Sequence, residues 1–351
     1  MRRIVIVGTF PPPVHGMSVA NESIHRKLGF HQNNTTIINT STNALSRSMF
    51  SRLSRLRVIS NALLRVSRLK PERDLLYIAL NGGLGQLFDI CFITIARING
   101  IPCFAHHHSY AYLMRKKIIT TLLLRAAGPE TTHIVLCDDM KKRLQKHYQA
   151  SRILVLSNLA YYRGEGGNIH REKIRSVGFI SNITREKGGY TIIRLSHAIC
   201  EQQLPIKVIV AGPCFDRELC DELNHAQSEG LLTWIGPVYG DAKKEFWKNV
   251  DAFAFPTEYQ NEAEPLVVWE AMSAGVPILS FKRGCIDSQI GSGGEVFPGE
   301  DDFVNRSIET LTRWLKDPSD YQAYSKNALD QYQDAITIAE SRWQELLQLI
   351  S

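Results

Sequence analysis

Short apolar runs alternate with helix-forming text along the whole chain, and this alternation occurs twice. In the first half, strands are expected over residues 3–9, 35–39, 74–80, 102–108, 133–137 and 153–156, with helices near 18–28, 87–99, 111–127 and 138–148. The pattern then restarts with strands over 174–180, 206–211, 232–235, 252–255 and 277–280, and closes on helices over 301–315 and 321–350. Strand alternating with helix specifies a parallel, doubly wound sheet. The expected fold class is therefore α/β, with two Rossmann-like domains. The polar stretch 160–172 (AYYRGEGGNIHRE) reads as the linker. That places an N-terminal domain at 1–160 and a C-terminal domain at 161–337, with a final helix segment, about 338–351, packing back on the first domain.

At 351 residues each half can bury its own core. Apolar content of 44% and charged content of 22% belong to an ordinary soluble protein. No run of about 18 apolar residues is present, so no spanning helix is expected. The opening MRRIVIVGTFPPP reads as a first strand, not a secretion signal. The seven cysteines include no Cys-x-x-Cys pair, which argues against a disulfide framework or a zinc ribbon and fits a cytoplasmic location.

Charge is unevenly shared. Residues 1–160 carry 22 Lys and Arg against 7 Asp and Glu, or +15, and the remainder carries −9 of the overall +6. A basic half beside an acidic half points to an anionic partner for the first domain. The stretch from Arg47 to Lys70 (RSMFSRLSRLRVISNALLRVSRLK) holds seven positive charges, no acid, and apolar residues at helical spacing. It can lie on an anionic membrane surface, or it can be a helix with a solvated basic face packed on its own core. A second basic, apolar stretch runs from Leu113 to Arg125. Aromatic residues are not interleaved with these charges in a stacking pattern, so no nucleic-acid partner is expected.

The chemistry concentrates in NEAEPLVVWEAMSAGVP, residues 261–277. Glu262 and Glu270 flank a proline and an apolar run, and Glu270 is expected to open a small-residue helix ended by Gly275 and Pro277. Free N–H groups at such a turn suit a phosphate, and the carboxylates can accept from sugar hydroxyls. A strand precedes the turn, which is where open α/β sheets bind ligands. Phosphate and hydroxyls on one molecule describe a nucleotide sugar. Glu-x7-Glu by itself is equally a pair of solvated helix carboxylates.

Three further loops follow strand ends. In TFPPPVHGMS, Gly16 lets backbone approach a ligand at a helix start; it is neither a GxGxxG nor a Walker loop. In His106-His107-His108, alternation puts His106 and His108 on one side and His107 on the other, with all three expected near the ligand. One could carry a proton or contact a sugar; metal binding is the rival, but no third ligand has suitable spacing. In SNITREKG, Arg185 and Lys187 can neutralise a diphosphate leaving group. AGP (211–213) and IGPV (235–238) would line a nucleobase pocket with backbone groups.

Taken in order, these pieces resemble the retaining glycosyltransferases of the GT-B fold, family 4. The resemblance spans most of the chain and is strongest over 174–298. It implies two doubly wound domains facing across a cleft, the first for the acceptor and the second for a nucleotide diphosphate sugar. By resemblance, Glu262 holds the donor sugar hydroxyls and Glu270 the ribose. The amides near Pro265, Leu266 and Val267 meet the phosphates, as do Lys187 and the Gly16 loop. His108, six residues after Pro102, matches the active-site histidine, with His106 the other candidate. Asn182 stands where the family usually has Arg, with Arg185 nearby, and Ala263 stands where it usually has Gly. The implied reaction needs neither metal nor cofactor. A glycan or lipid-linked acceptor in bacterial surface-polysaccharide assembly is expected. The alternatives are a sugar-nucleotide epimerase of the same fold and a non-catalytic nucleotide-sugar-binding subunit.

Overall fold

The computed structural model describes residues 2–32, 34–41, 49–164, 166–167, 169–299 and 303–351. Arg47, Asp301 and the side chains of residues 49–54 lie outside the described residues. The chain divides into unit 1, Met1–Tyr162 with Ile338–Ser351, and unit 2, Arg163–Thr337.

Unit 1 is built from β1 (Arg3–Gly8), α1 (Gly16–Gln32), β2 (Thr35–Asn39), α2 (Met49–Val66), β3 (Asp74–Leu80), α3 (Gln86–Ile98), β4 (Cys103–His107), α4 (Ala111–Met114), α5 (Ile118–Ala127), β5 (Thr132–Val135), α6 (Asp138–Tyr148) and β6 (Ile153–Val155). The six strands lie in the order β2-β1-β3-β4-β5-β6, and every pairing is parallel. β3 is buried at all seven positions, as a central strand covered on both faces must be.

Text over 111–127 read as one helix. It forms two, because the chain turns extended at Arg115 and again at Lys117. In α2, Ile59, Ala62 and Val66 are buried, with Leu69 just beyond, so this face of the basic helix packs on unit 1's own core. Leu56 and Leu64 remain exposed, at 53% and 56%.

Unit 2 comprises β7 (Ser176–Ile180), α7 (Gly189–Glu201), β8 (Lys207–Ala211), α8 (Arg217–Ser228), β9 (Thr233–Trp234), α9 (Gly240–Asn249), β10 (Ala252–Phe255), α10 (Leu266–Ser273), β11 (Ile278–Phe281), α11 (Ile286–Ile290), β12 (Gly294–Phe297), α12 (Phe303–Lys316) and α13 (Pro318–Ile350). The sheet order is β12-β11-β10-β7-β8-β9, again all parallel. The edge strand β12 was not expected, since its text is glycine-rich and short. Strand order reverses between β7 and β10, and ligands of open α/β sheets bind in the crevice at such a switch point.

One expectation needs correction. Most of 160–172 is not a free linker. Gly166 N donates to Ser273 Oγ at 3.0 Å, Gly164 N donates to Tyr332 OH at 3.0 Å, and Arg171 is 4% exposed. These groups are part of unit 2's packing. The last helix is one continuous element whose final segment belongs to unit 1. There Trp343, Leu346 and Ile350 are buried, and Lys27 Nζ lies 4.8 Å from the Trp343 ring centre.

Candidate functional site

In unit 2, the loops after β7 and β10 meet at the switch point. Glu258 N donates to Glu186 O at 2.8 Å, tying the two loops together. This brings Lys187 onto Glu262, and the two side chains form an ion pair. Thr257 Oγ1 donates to Glu262 Oε2 at 3.3 Å, and Lys187 Nζ lies 4.6 Å from the Tyr259 ring centre. Glu262 is 9% exposed. The buried carboxylate of Glu262 gains its counter-charge from half-buried Lys187.

The backbone of Glu262 and Ala263 is crowded from the other side. Cys285 N donates to Ala263 O at 2.7 Å. A Cβ on Gly284, whose φ is +55°, would fall 2.4 Å from Glu262 O. Only glycine permits this approach.

The helix α10 begins at Leu266, with Pro265 as its N-cap at φ −66°. Glu270 therefore does not open the helix as expected but sits at its fifth position, because Pro265 supplies the start. The amides of Leu266 and Val267 are the first of the helix and have no intrahelical acceptor. Pro265 is locked in place by Gln289 Nε2, which donates to its carbonyl at 3.0 Å. Glu270 is buried and paired with Lys243 of α9, at 2.7 Å to Oε1 and 2.6 Å to Oε2. Asn182 and Arg185 are exposed on the β7 loop. Two carboxylates and two lysines thus bracket a free helix N-terminus beside the switch point, an arrangement that can hold a diphosphate and hydroxyls together.

Sequence reasoning missed Lys243, Arg171, Tyr259 and Gln289. For Lys243 a signal existed: it precedes the apolar pair Phe246-Trp247 by one helical turn, so it shares their inward face. The AGP expectation is corrected, because its backbone is already used. Gly212 N donates to Gly236 O at 2.7 Å, and Trp234 Nε1 donates to Gly212 O at 3.0 Å.

In unit 1, Gly16 is the first residue of α1 and is exposed, with nothing within 4 Å of a Cβ placed on it. His15 and Ser18 cap this end reciprocally: His15 N donates to Ser18 Oγ at 2.9 Å, and Ser18 N to His15 Nδ1 at 3.3 Å. The three histidines are not equally open. His106 and His107 are wholly buried, and His108 is partly exposed. The Tyr77 hydroxyl and His106 Nδ1 are 2.6 Å apart, and the His106 and His108 rings lie 4.0 Å apart. His107 faces the other way, hydrogen-bonded to the Tyr112 hydroxyl at 2.9 Å and to His133 Nδ1 at 3.1 Å. Among the described residues His106 Nε2 and His108 Nε2 have no hydrogen-bond partner. Burial lowers the pKa of His108 to about 4, so it stands neutral at pH 7. The same desolvation, with the charges of neighbouring histidines, holds His106 and His107 well below 6.5. Asp89, held by Asn81 at the end of β3, is pushed up to about 7 by burial. Among the described residues no group of three or more His, Cys, Asp or Glu side chains could hold a metal ion.

Residues 166–331 match the family described as Glycosyl transferases group 1. The chain is similar to D-inositol 3-phosphate glycosyltransferase of Corynebacterium urealyticum, 23% identical over 138 residues; the match covers 36% of this chain and 31% of that protein, about a third of its length. In three dimensions it is similar to Anabaena HepE in complex with UDP and glucose, with a TM-score of 0.72 at 15% identity, covering 99% of this chain and 100% of that one. It is also similar to WaaG, a glycosyltransferase involved in lipopolysaccharide biosynthesis, with a TM-score of 0.67 at 15% identity over 99% of both chains. These likenesses over both sheets define the fold. The chain has the GT-B fold, and its residues 166–331 match the glycosyl transferases group 1 family.

Proposed function

We propose that the protein is a metal-independent, retaining glycosyltransferase that moves a sugar from a nucleotide diphosphate sugar to an acceptor hydroxyl. The observation that carries this reading is the Lys187–Glu262 pair beside the free N-terminus of α10 at the unit 2 switch point. A diphosphate accepts from the Leu266 and Val267 amides and from Lys187, with Asn182 and Arg185 at the exposed rim. Glu262 accepts from the donor sugar hydroxyls and Glu270 from the ribose. Unit 1 takes the acceptor, and within it His108 and the loop ending at Gly16 are the groups to which we assign roles. The bond between the anomeric carbon and the diphosphate oxygen breaks, and the acceptor oxygen bonds to that carbon on the same face. The acceptor proton passes to the departing phosphate. The residues supply position and charge balance.

The acceptor we propose is a lipid-linked glycan of surface-polysaccharide assembly at the cytosolic membrane face. Exposed Leu56 and Leu64 stand among the arginines of α2, and exposed Ile118 and Leu122 follow Arg115, Lys116 and Lys117. Such surfaces bind anionic lipid by apolar burial and charge together. Among the described residues no helix is long and apolar enough to cross a membrane.

A thermal-shift screen of UDP-, GDP- and ADP-sugars tests the donor, because a bound donor stabilises the fold by mass action. The donor that binds is then incubated alone and with lipid extract. Transfer only in the presence of acceptor supports the reading; isomerisation of the donor alone would make the protein an epimerase. Failure of every nucleotide sugar to bind would refute the donor site. Sedimentation with phosphatidylglycerol vesicles, lost in high salt, checks the membrane face.

A further inference from the structure

Glu270 belongs to a helical segment in which Val268 through Ser273 are all buried, and it is itself 3% exposed. A carboxylate in that setting demands compensation. Lys243 supplies it, reaching both oxygens at 2.7 and 2.6 Å from a separate helix. That helix is anchored. Phe246 and Trp247 are buried one turn beyond Lys243, on the same face. Arg171 then binds α9 to the end of α10. Its guanidinium donates to Trp247 O and, at 3.2 Å, to Ala274 O, while pairing with Asp251 at 3.0 Å. A buried scaffold, not a mobile loop, carries the ammonium to the carboxylate.

A lysine bridging both oxygens also fixes the rotation of the carboxylate plane. Two adjacent hydroxyls on a ribose present two O–H donors, and they pair well only with a carboxylate whose plane is set. We infer that Lys243 is a positioning residue for donor selectivity: it orients Glu270 so that the site distinguishes ribonucleotides from deoxyribonucleotides. This rests on the proposed role of Glu270 and extends it to a residue on α9.

The test uses the full chain and whichever of UDP, GDP or ADP gives the largest thermal shift. Its affinity, and that of its 2′-deoxy and 3′-deoxy analogues, is measured by titration calorimetry for wild type, Lys243→Met, Lys243→Gln and Lys243→Arg. Wild type should prefer the ribonucleotide by about tenfold or more, the worth of one lost hydrogen bond to a charged group. In Lys243→Met or Lys243→Gln the ribo and deoxy forms should bind within about threefold of each other, and Lys243→Arg should restore the preference. A folded Met or Gln variant that keeps the full wild-type ratio overturns the inference and leaves the donor site standing. Wild type that binds all three forms alike overturns the inference and the ribose role of Glu270 but not the donor site, and wild type that binds no nucleotide overturns the donor site as well.

Discussion

Lys187 and Glu262 come from loops following β7 and β10, adjacent strands far apart in sequence, and their ion pair sits at the reversal of strand order. In the reading proposed above, the pair holds the ammonium ready for a diphosphate near the α10 N-terminus. Lys187→Ala should lower kcat/KM by about 100-fold or more, the scale of losing one charge-stabilising donor. The same change leaves Glu262 without that partner, at a stability cost of about 1–3 kcal/mol. Steady-state kinetics and calorimetric unfolding measure the two effects separately.

Stability should fall on mild acidification. The unfolded chain takes up protons at histidine near the ordinary 6.5, whereas His108 and buried His133 do so only near 4. Their contribution is complete above 6.5 and is lost as pH falls toward 4, roughly 3 kcal/mol for His133. Asp89 works in the opposite sense. Its folded value of about 7, above the usual 3.8, means that it stabilises at low pH and loses that contribution as pH rises through 7. Asp89→Asn should therefore steepen the loss between pH 7 and 4. Urea unfolding across that range checks the sign.

Gly284→Ala forces a Cβ against the Glu262 carbonyl at a positive φ. It should destabilise by about 2 kcal/mol or more and depress donor binding. Gly230 has a φ of +76° but open space around it. Gly230→Ala should cost only about 1 kcal/mol and leave binding intact. Thermal unfolding of both variants, with donor titration, tests the comparison.

Arg171→Met removes the buried member of a pair and leaves half-buried Asp251 with the Arg175 amide and the Ser176 hydroxyl as donors. A loss of about 1–3 kcal/mol is expected, read as a lower denaturation midpoint. Because Arg171 ties α9 to α10, the variant should also bind nucleotide more weakly than its residual folded fraction accounts for.

The doubly wound fold was legible because strands such as 74–80 and 252–255 are apolar runs between helical text, and both are central strands. β12 was not, because an edge strand of four residues beginning with Gly294 carries little pattern. Residues 160–172 misled because glycine and polar residues mark linkers, yet here they pack on α10 and hold a buried arginine. In the candidate site, the spacing of Glu262, Pro265 and Glu270 was readable because those residues share one loop and helix. Lys243 and Arg171 were hidden because long-range pairing leaves no local periodicity. The histidine run gave its alternation, but not that burial would leave His108 as the partly exposed member.

The division of α13 between the two units has a consequence for how the protein is made. Unit 1 buries Trp343, Leu346 and Ile350, and these residues leave the ribosome only after all of unit 2. A fragment of residues 1–162 would lack the Trp343 ring that packs on Lys27 and His31 of α1. The amino-terminal unit is therefore completed only by the last residues to be translated.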